Sequence, residues 1–289
     1  MRKVNLLFLV GLCVGALVTL TVVVTTPLRH TPLPIPVAAV GSATSEKPIT
    51  TPEKQQKPNP SDNGVAGSLE ALLPDGHVSA VVFDRAKGTF ALSVNADRGY
   101  TSASLVKLLI ALNALETGQS PELISQMLSR SDDTIASRLW VDGGETSIVT
   151  NAVRRMGLTG TQPPSNPGRW GDTEITANDI VRIYRYLLDE APAPARDTIL
   201  TALRNATANG ADGFRQYFGI PDAVGDLPWA VKQGWSCCRP TMMLHTSGLV
   251  GKNQFVVVVL TEQPQSVGYD AAKQQITNVV KNLVPLLRN

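Results

Sequence analysis

The spacing of apolar and polar residues changes several times along this chain, and each change marks a boundary. Val4 to Leu28 contains no charged residue and is mostly apolar. Its length reaches the roughly 20 apolar residues that a membrane-spanning helix needs. Met1-Arg2-Lys3 precedes it, and basic residues in that position hold the N-terminus in the cytoplasm. Residues 1–28 are therefore read as a cytoplasmic tip and a single transmembrane anchor, with a cleaved signal peptide and a secreted product as the alternative. Cys13 lies inside the run behind Leu12, where a lipid-modified cysteine wants a small neighbour, so it is read as an apolar filler. Periodicity then disappears. Residues 27–66 hold eight of the chain's 20 prolines among Ser, Thr, Lys and Gln. Such a segment buries no core, and residues 29–66 are read as a disordered, semi-stiff stalk.

Regular spacing returns near residue 67. Ser68 to Leu73 predicts a short helix. HVSAVVFD (77–84) and TFALSVN (89–95) are β-rich runs joined by Arg85-Ala86-Lys87-Gly88, a hairpin signal. Leu105 to Leu115 repeats apolar residues at helical spacing and stops at Gly118. Ser120-Pro121-Glu122 is an N-cap with proline at the first helical position. Further helices are predicted over Thr134–Val141, Glu145–Met156, a segment opened by the capping box at Thr176, and Asp197–Thr207. Thr161 to Trp170 contains three prolines and reads as a loop. Strands resume at Trp229–Cys237, Thr241–Gly248 and Phe255–Thr261, and an amphipathic helix closes the chain over Ala271–Leu287.

The order is helix, two strands, a helical block, three strands, helix. That predicts an α+β domain at 67–289: an antiparallel sheet flanked by N- and C-terminal helices, with a helical subdomain inserted. The sheet part would comprise 67–101 and 208–289, and the helical part 102–207.

Composition then narrows the chemistry. The formal charge of +2 over 289 residues gives no support for nucleic-acid binding. Three cysteines and three histidines exclude a four-cysteine zinc site and leave little for a metallohydrolase, so no metal or cofactor is expected. No Gly-x-Ser-x-Gly elbow is present and His30 falls in the stalk, which disfavours a Ser-His-Asp hydrolase. Cys237-Cys238 is read as two small apolar residues on opposite strand faces, with a vicinal disulfide as the alternative.

Three short motifs remain. In Ser104-Leu105-Val106-Lys107, residues i and i+3 share a helix face. A lysine there can accept the serine proton if burial suppresses its charge. Lys107 adjoins the apolar run Leu108 to Leu112, which favours burial. Ser131-Asp132-Asp133 lies between two helices and, alone, is an ordinary N-cap cluster. Lys232-Gln233-Gly234-Trp235 lies on the first strand of the C-terminal group, where glycine often permits close backbone approach.

The ordered triple resembles the penicillin-recognising serine enzymes, the class A β-lactamases and the penicillin-binding transpeptidases and carboxypeptidases, whose set is Ser-x-x-Lys, Ser-Asp-Asn and Lys-Thr-Gly. The resemblance covers roughly Leu69 to Leu287. It implies Ser104 as the acylated nucleophile, Lys107 as its proton acceptor and Ser131 as the relay to the leaving nitrogen. Lys232 would pair with the substrate carboxylate, with Asp133, Gln233, Gly234 and Trp235 lining the substrate and Arg239 adding a carboxylate contact. Taken alone, Arg239 reads first as a solvated strand-end charge. The backbone N–H groups of Ser104 and Trp235 would form an oxyanion hole, worth about 3 kcal/mol per donor. Implied ligands are β-lactams or peptidoglycan-like acyl-D-amino acid peptides.

The departures from the pattern are as informative. Asp133 stands for asparagine and Gln233 for threonine. A carboxylate at 133 should hold Lys107 protonated. The spacing from Ser104 to Ser131 is short for the family, implying an abridged helical part. The loop GTQPPSNPGRW (160–170) lacks the glutamate that directs water onto an acyl-enzyme, and Asp172 and Glu174 read as charges upstream of a helix. The expectation is an extracytoplasmic serine hydrolase that deacylates slowly. The alternative is a catalytically decayed binding module in the cell envelope.

Overall fold

The computed structural model describes residues 60–237 and 240–288. The apolar run at 4–28, most of the proline-rich segment, Cys238 and Arg239 lie outside the described residues. No helix among the described residues is long and apolar enough to cross a membrane.

Helix α1 (Pro60–Glu70) starts inside the segment read as a stalk. Its C-terminal end explains the difference: Leu69, and Leu73 just beyond the helix, are buried against the sheet. The hairpin β1 (His77–Asp84) and β2 (Thr89–Val94) follows, then the two-residue strand β3 (Tyr100–Thr101). A 3₁₀ turn (Ala103–Val106) leads into α2 (Lys107–Glu116). The helical block continues with α3 (Pro121–Ser129), α4 (Asp133–Asp142) and α5 (Thr146–Met156). The Ser120 hydroxyl caps α3 by accepting from Leu123 N. Gly157 ends α5 in the left-handed conformation, at φ 63°. Strand β4 (Glu174–Ile175) pairs with β3. Helix α6 (Ala177–Asp189) is capped by Thr176, as its sequence predicts. Helix α7 (Ala193–Arg204) begins earlier than the predicted Asp197, because prolines 192 and 194 fit the first turn of a helix and do not break it. The short α8 (Ile220–Ala223) precedes β5 (Trp229–Ser236), β6 (Met242–Val250), β7 (Phe255–Gln263) and α9 (Tyr269–Leu283).

The five long strands form one antiparallel sheet in the order β2-β1-β7-β6-β5. Period-2 alternation splits it cleanly. Val78, Ala80 and Val82 pack with α1 and α9, while Val81 and Phe83 face the helical block. Central β7 is buried on both faces, which is why Phe255 to Leu260 reads as a continuous apolar run. Edge strand β5 sends Ala230 toward the helical block and Val231 toward α9.

Cys237, just past β5, is disulfide-bonded. That overturns its reading as an inert apolar thiol; its partner lies outside the described residues.

Candidate active site

The site forms where the 3₁₀ turn, the α3–α4 link and β5 meet. Ser104 lies on the turn and not on α2, so the expectation of a helical start is corrected. The correction sharpens the pairing, because side chains at i and i+3 eclipse in a 3₁₀ helix. Lys107 Nζ stands 2.9 Å from Ser104 Oγ. Ala103 has φ +46°, a left-handed backbone that costs a non-glycine residue energy. The turn is braced from outside: Ser102 N donates to Thr173 O at 2.7 Å.

Ser131 also sits at positive φ, +51°. Asp132 beside it caps α4 by accepting from Ile135 N at 3.0 Å. Lys107 Nζ donates to Ser131 O at 2.8 Å and approaches its Oγ at 3.2 Å. It also meets Asp133 Oδ1 at 2.5 Å. An ammonium has three protons, so four acceptors overfill it. Lys107 is fully buried, and Asp133 is 66% exposed. Burial pushes the Lys107 ammonium below the usual lysine range, and the Asp133 carboxylate opposes that shift. The expected contact of Asp133 with Lys107 is thus direct.

From the other side, Lys232 Nζ donates to Ser131 Oγ at 2.9 Å and to Gln233 O at 2.8 Å. It is buried as well, and both burial and the Lys107 charge drive its pKa well down. Ser131 Oγ therefore lies between two ammonium groups and can turn its own hydrogen toward the open side. Gly234 explains how β5 comes so close. A Cβ there would sit 3.1 Å from Ser102 O and 3.3 Å from Leu105 Cγ, so only glycine lets the strand lie against the nucleophile turn.

Gln233 is not brought into this site. On a strand its side chain leaves by the face opposite Lys232. Its Nε2 donates to Gln216 O at 2.9 Å and Phe218 O at 2.7 Å, which ties β5 to the 207–219 segment. Gln216 Nε2 in turn donates to Ser129 O and Thr207 O, both at 3.0 Å. Trp235 borders the pocket with its indole turned to that same segment: it stacks on Phe214 at 4.7 Å and donates from Nε1 to Asp212 Oδ2 at 2.9 Å.

The pocket has a volume of about 310 Å³ and is bordered by Ser104, Asp133, Arg169, Trp170, Asp172 and Trp235. The motifs did not identify Trp170, whose ring lies 4.9 Å from Lys107 Nζ, nor the Arg169–Asp172 pair beside it. Both come from the proline-rich loop, where no period exists to reveal an inward residue. The loop is fixed at its base by buried Asp179, which accepts from Thr159 N, Gly160 N and Thr161 Oγ1 at 3.0, 2.8 and 2.8 Å. Glu174 lies away from the nucleophile, in β4, against Gly99.

His245 is buried behind the turn, but both ring nitrogens are engaged. Nδ1 accepts from Thr261 N at 3.2 Å, so Nε2 carries the proton and donates to Thr101 O at 2.9 Å. It cannot serve Ser104 as a base.

Comparison with known proteins gives the family and the fold. Residues 119–285 match the family model described as the Beta-lactamase enzyme family. The chain is 37% identical over 231 residues to the protein named "Putative lipoprotein LppW" in Mycobacterium tuberculosis (strain ATCC 25618 / H37Rv), covering 75% of this chain and 72% of the relative. The protein of the same name in Mycobacterium bovis matches to the same extent. Among solved structures, the TLA-3 extended-spectrum β-lactamase superposes with a TM-score of 0.66 at 16% identity, over 79% of this chain and 100% of that one. PBP-A gives 0.64 at 16% identity, over 80% and 97%. Those two likenesses concern the fold; with the family match and the identity to the mycobacterial relatives, they make this chain a member of the β-lactamase enzyme family.

Proposed function

We propose that this protein is a serine acyl-enzyme former of the β-lactamase and penicillin-binding type, acylated at Ser104 and slow to release the acyl group. The observation that carries the reading is a fully buried Lys107 Nζ 2.9 Å from Ser104 Oγ, with its ammonium disfavoured by burial. In its neutral form Nζ takes the Ser104 hydroxyl proton as Oγ attacks a substrate carbonyl. Ser131 Oγ then gives its proton to the leaving nitrogen and takes in its place the proton that Lys107 Nζ, 3.2 Å away, received from Ser104, while Lys232 holds the Ser131 oxygen in position. The N–H groups of Ser104 and Trp235 would hold the oxyanion. Release needs a water and a base. Of the residues bordering the pocket, Asp133 and Asp172 carry carboxylates, and each already holds a cation. That supports slow deacylation. Substrates of this chemistry are β-lactams and acyl-D-amino acid peptides of the peptidoglycan kind.

The 2.5 Å contact of Asp133 with Lys107 favours one rival, a binding module with a lysine held charged. One experiment separates the two. The full chain is incubated with a fluorescent penicillin beside Ser104→Ala, and the adduct is located by peptide mass spectrometry. A lasting adduct on Ser104 supports the proposal. Equal, absent labelling in both proteins refutes it.

The same proposal puts the domain at the outer side of the cell membrane, a reading supported by the lipoprotein name of the relatives and by the apolar run at 4–28. The mass of the mature N-terminus from membrane fractions separates an intact anchor, a cleaved signal and a lipid-modified cysteine.

A further inference from the structure

Asp133 differs from the other polar groups of the site. Ser104, Ser131 and both lysines can donate hydrogen bonds, whereas a carboxylate only accepts. Its Oδ1 is taken by Lys107 at 2.5 Å, while Oδ2 accepts no hydrogen bond among the described residues. The carboxylate is 66% exposed and borders the pocket together with Ser104. It opens α4, where the helix N-terminus favours negative charge. One more carboxylate shares the rim, Asp172, which is held by Arg169; Asp212 lies behind it, bonded to Trp235 Nε1 at 2.9 Å.

We propose that Asp133 is a specificity determinant that selects substrates bearing an ammonium or other cationic donor on the acyl side, placed to reach Oδ2 while the scissile carbonyl stands at Ser104. The inference rests on the acyl-enzyme reading given above. A neutral carbonyl or a carboxylate at the same place would face an acceptor with no proton to offer, and is disfavoured. A cationic group is attracted instead. It also affects the reaction itself. A second positive charge at Asp133 weakens its hold on the Lys107 ammonium, so the substrate that binds best also frees its own base. The preference should therefore appear in the acylation rate as well as in affinity.

The test uses the full chain and two penicillins that differ only by an α-ammonium on the acyl side chain, one carrying it and one with hydrogen in its place. Acylation rate constants are measured by stopped-flow fluorescence or intact mass at several salt concentrations. The wild type should favour the ammonium-bearing penicillin by about fivefold, the upper range for an exposed ion pair, and the ratio should fall toward one as salt rises. Asp133→Glu keeps the charge and should retain part of the preference. Asp133→Asn should abolish it, while acylation by the neutral penicillin becomes faster because Lys107 loses its partner. If Asp133→Asn does not fold, the salt dependence of the wild-type ratio still decides. Equal rates for both penicillins, or a ratio indifferent to salt and to Asp133→Asn, overturn the selectivity while leaving acylation at Ser104 standing. Failure of both penicillins to acylate the wild type overturns the selectivity and the underlying function together.

Discussion

Gln233→Thr restores the residue type of the Lys-Thr-Gly pattern, so sequence logic alone expects it to improve a substrate site. The structure predicts the opposite. Threonine is too short to reach the two carbonyls that Gln233 Nε2 serves, Gln216 O at 2.9 Å and Phe218 O at 2.7 Å. Gln216 O still receives Phe218 N at 3.0 Å, so one acceptor is stranded and not two. A buried polar group left unsatisfied costs about 1–3 kcal/mol. The lost methylene packing adds roughly 1 kcal/mol. Against this, the variant removes Gln233 Oε1, a buried atom that has no partner already. The net is about 2 kcal/mol of destabilisation. For a domain of this size, that lowers Tm by about 4–8 °C. The assay is thermal unfolding by circular dichroism, beside penicillin acylation kinetics. Loosening the tie from β5 to Gln216, and from there to Ser129 O, lets Ser131 drift from Lys232, so acylation should slow as well. A Gln233→Thr protein as stable as wild type, or one acylated faster, would refute the assignment of Gln233 to the scaffold.

Other outcomes follow from the same geometry. Gly234→Ala places a methyl 3.1 Å from Ser102 O and 3.2 Å from His245 Cδ2; the strand must move off the nucleophile turn, and the acylation rate should drop at least tenfold with little change in far-ultraviolet dichroism. Asp179→Ala leaves Thr159 N, Gly160 N and Thr161 Oγ1 without their acceptor, and urea unfolding should show a loss of about 3–5 kcal/mol. His245 is buried neutral, with its pKa pushed down to about 4 from 6.5. Its unfolded form binds the proton first, so its contribution is complete above pH 6.5 and is lost as pH falls toward 4, by about 3 kcal/mol. His245→Gln should flatten urea-melt stability across that window, and an unchanged slope would contradict the assignment. Acylation of Ser104 should accelerate with pH through an apparent pKa below that of a free lysine, because burial lowers Lys107, and Lys107→Arg should abolish this limb.

What was legible in the sequence follows from which interactions are local. The strands β1, β2 and β5 to β7 and the capped helices α3 and α6 are each fixed by residues within a turn or two, and all appear in place. The pairing of Ser104 with Lys107 is local too: the spacing of three suits either winding, and the 3₁₀ form found here goes with a long-range brace, Ser102 N donating to Thr173 O, 71 positions away. Ser131 and Lys232 carry chemistry that the motifs announce, but their shared contact spans 101 residues and is set by the insertion of the helical block into the sheet. Gln233 shows the limit most clearly. A strand residue adjoining Lys232 looks like part of the same site until the pleat is considered, since neighbours on a strand face opposite ways. The same alternation that puts Val231 in the α9 core carries Gln233 away from Ser104. Trp170 is the converse case. It has no motif and no period, yet Asp179 and the β3–β4 pairing hold its loop so that an indole roofs the buried ammonium. Position 133 belongs to neither class. Its residue type is plain in the sequence, but only its 66% exposure beside a buried lysine shows that one carboxylate can restrain the base and still face the pocket.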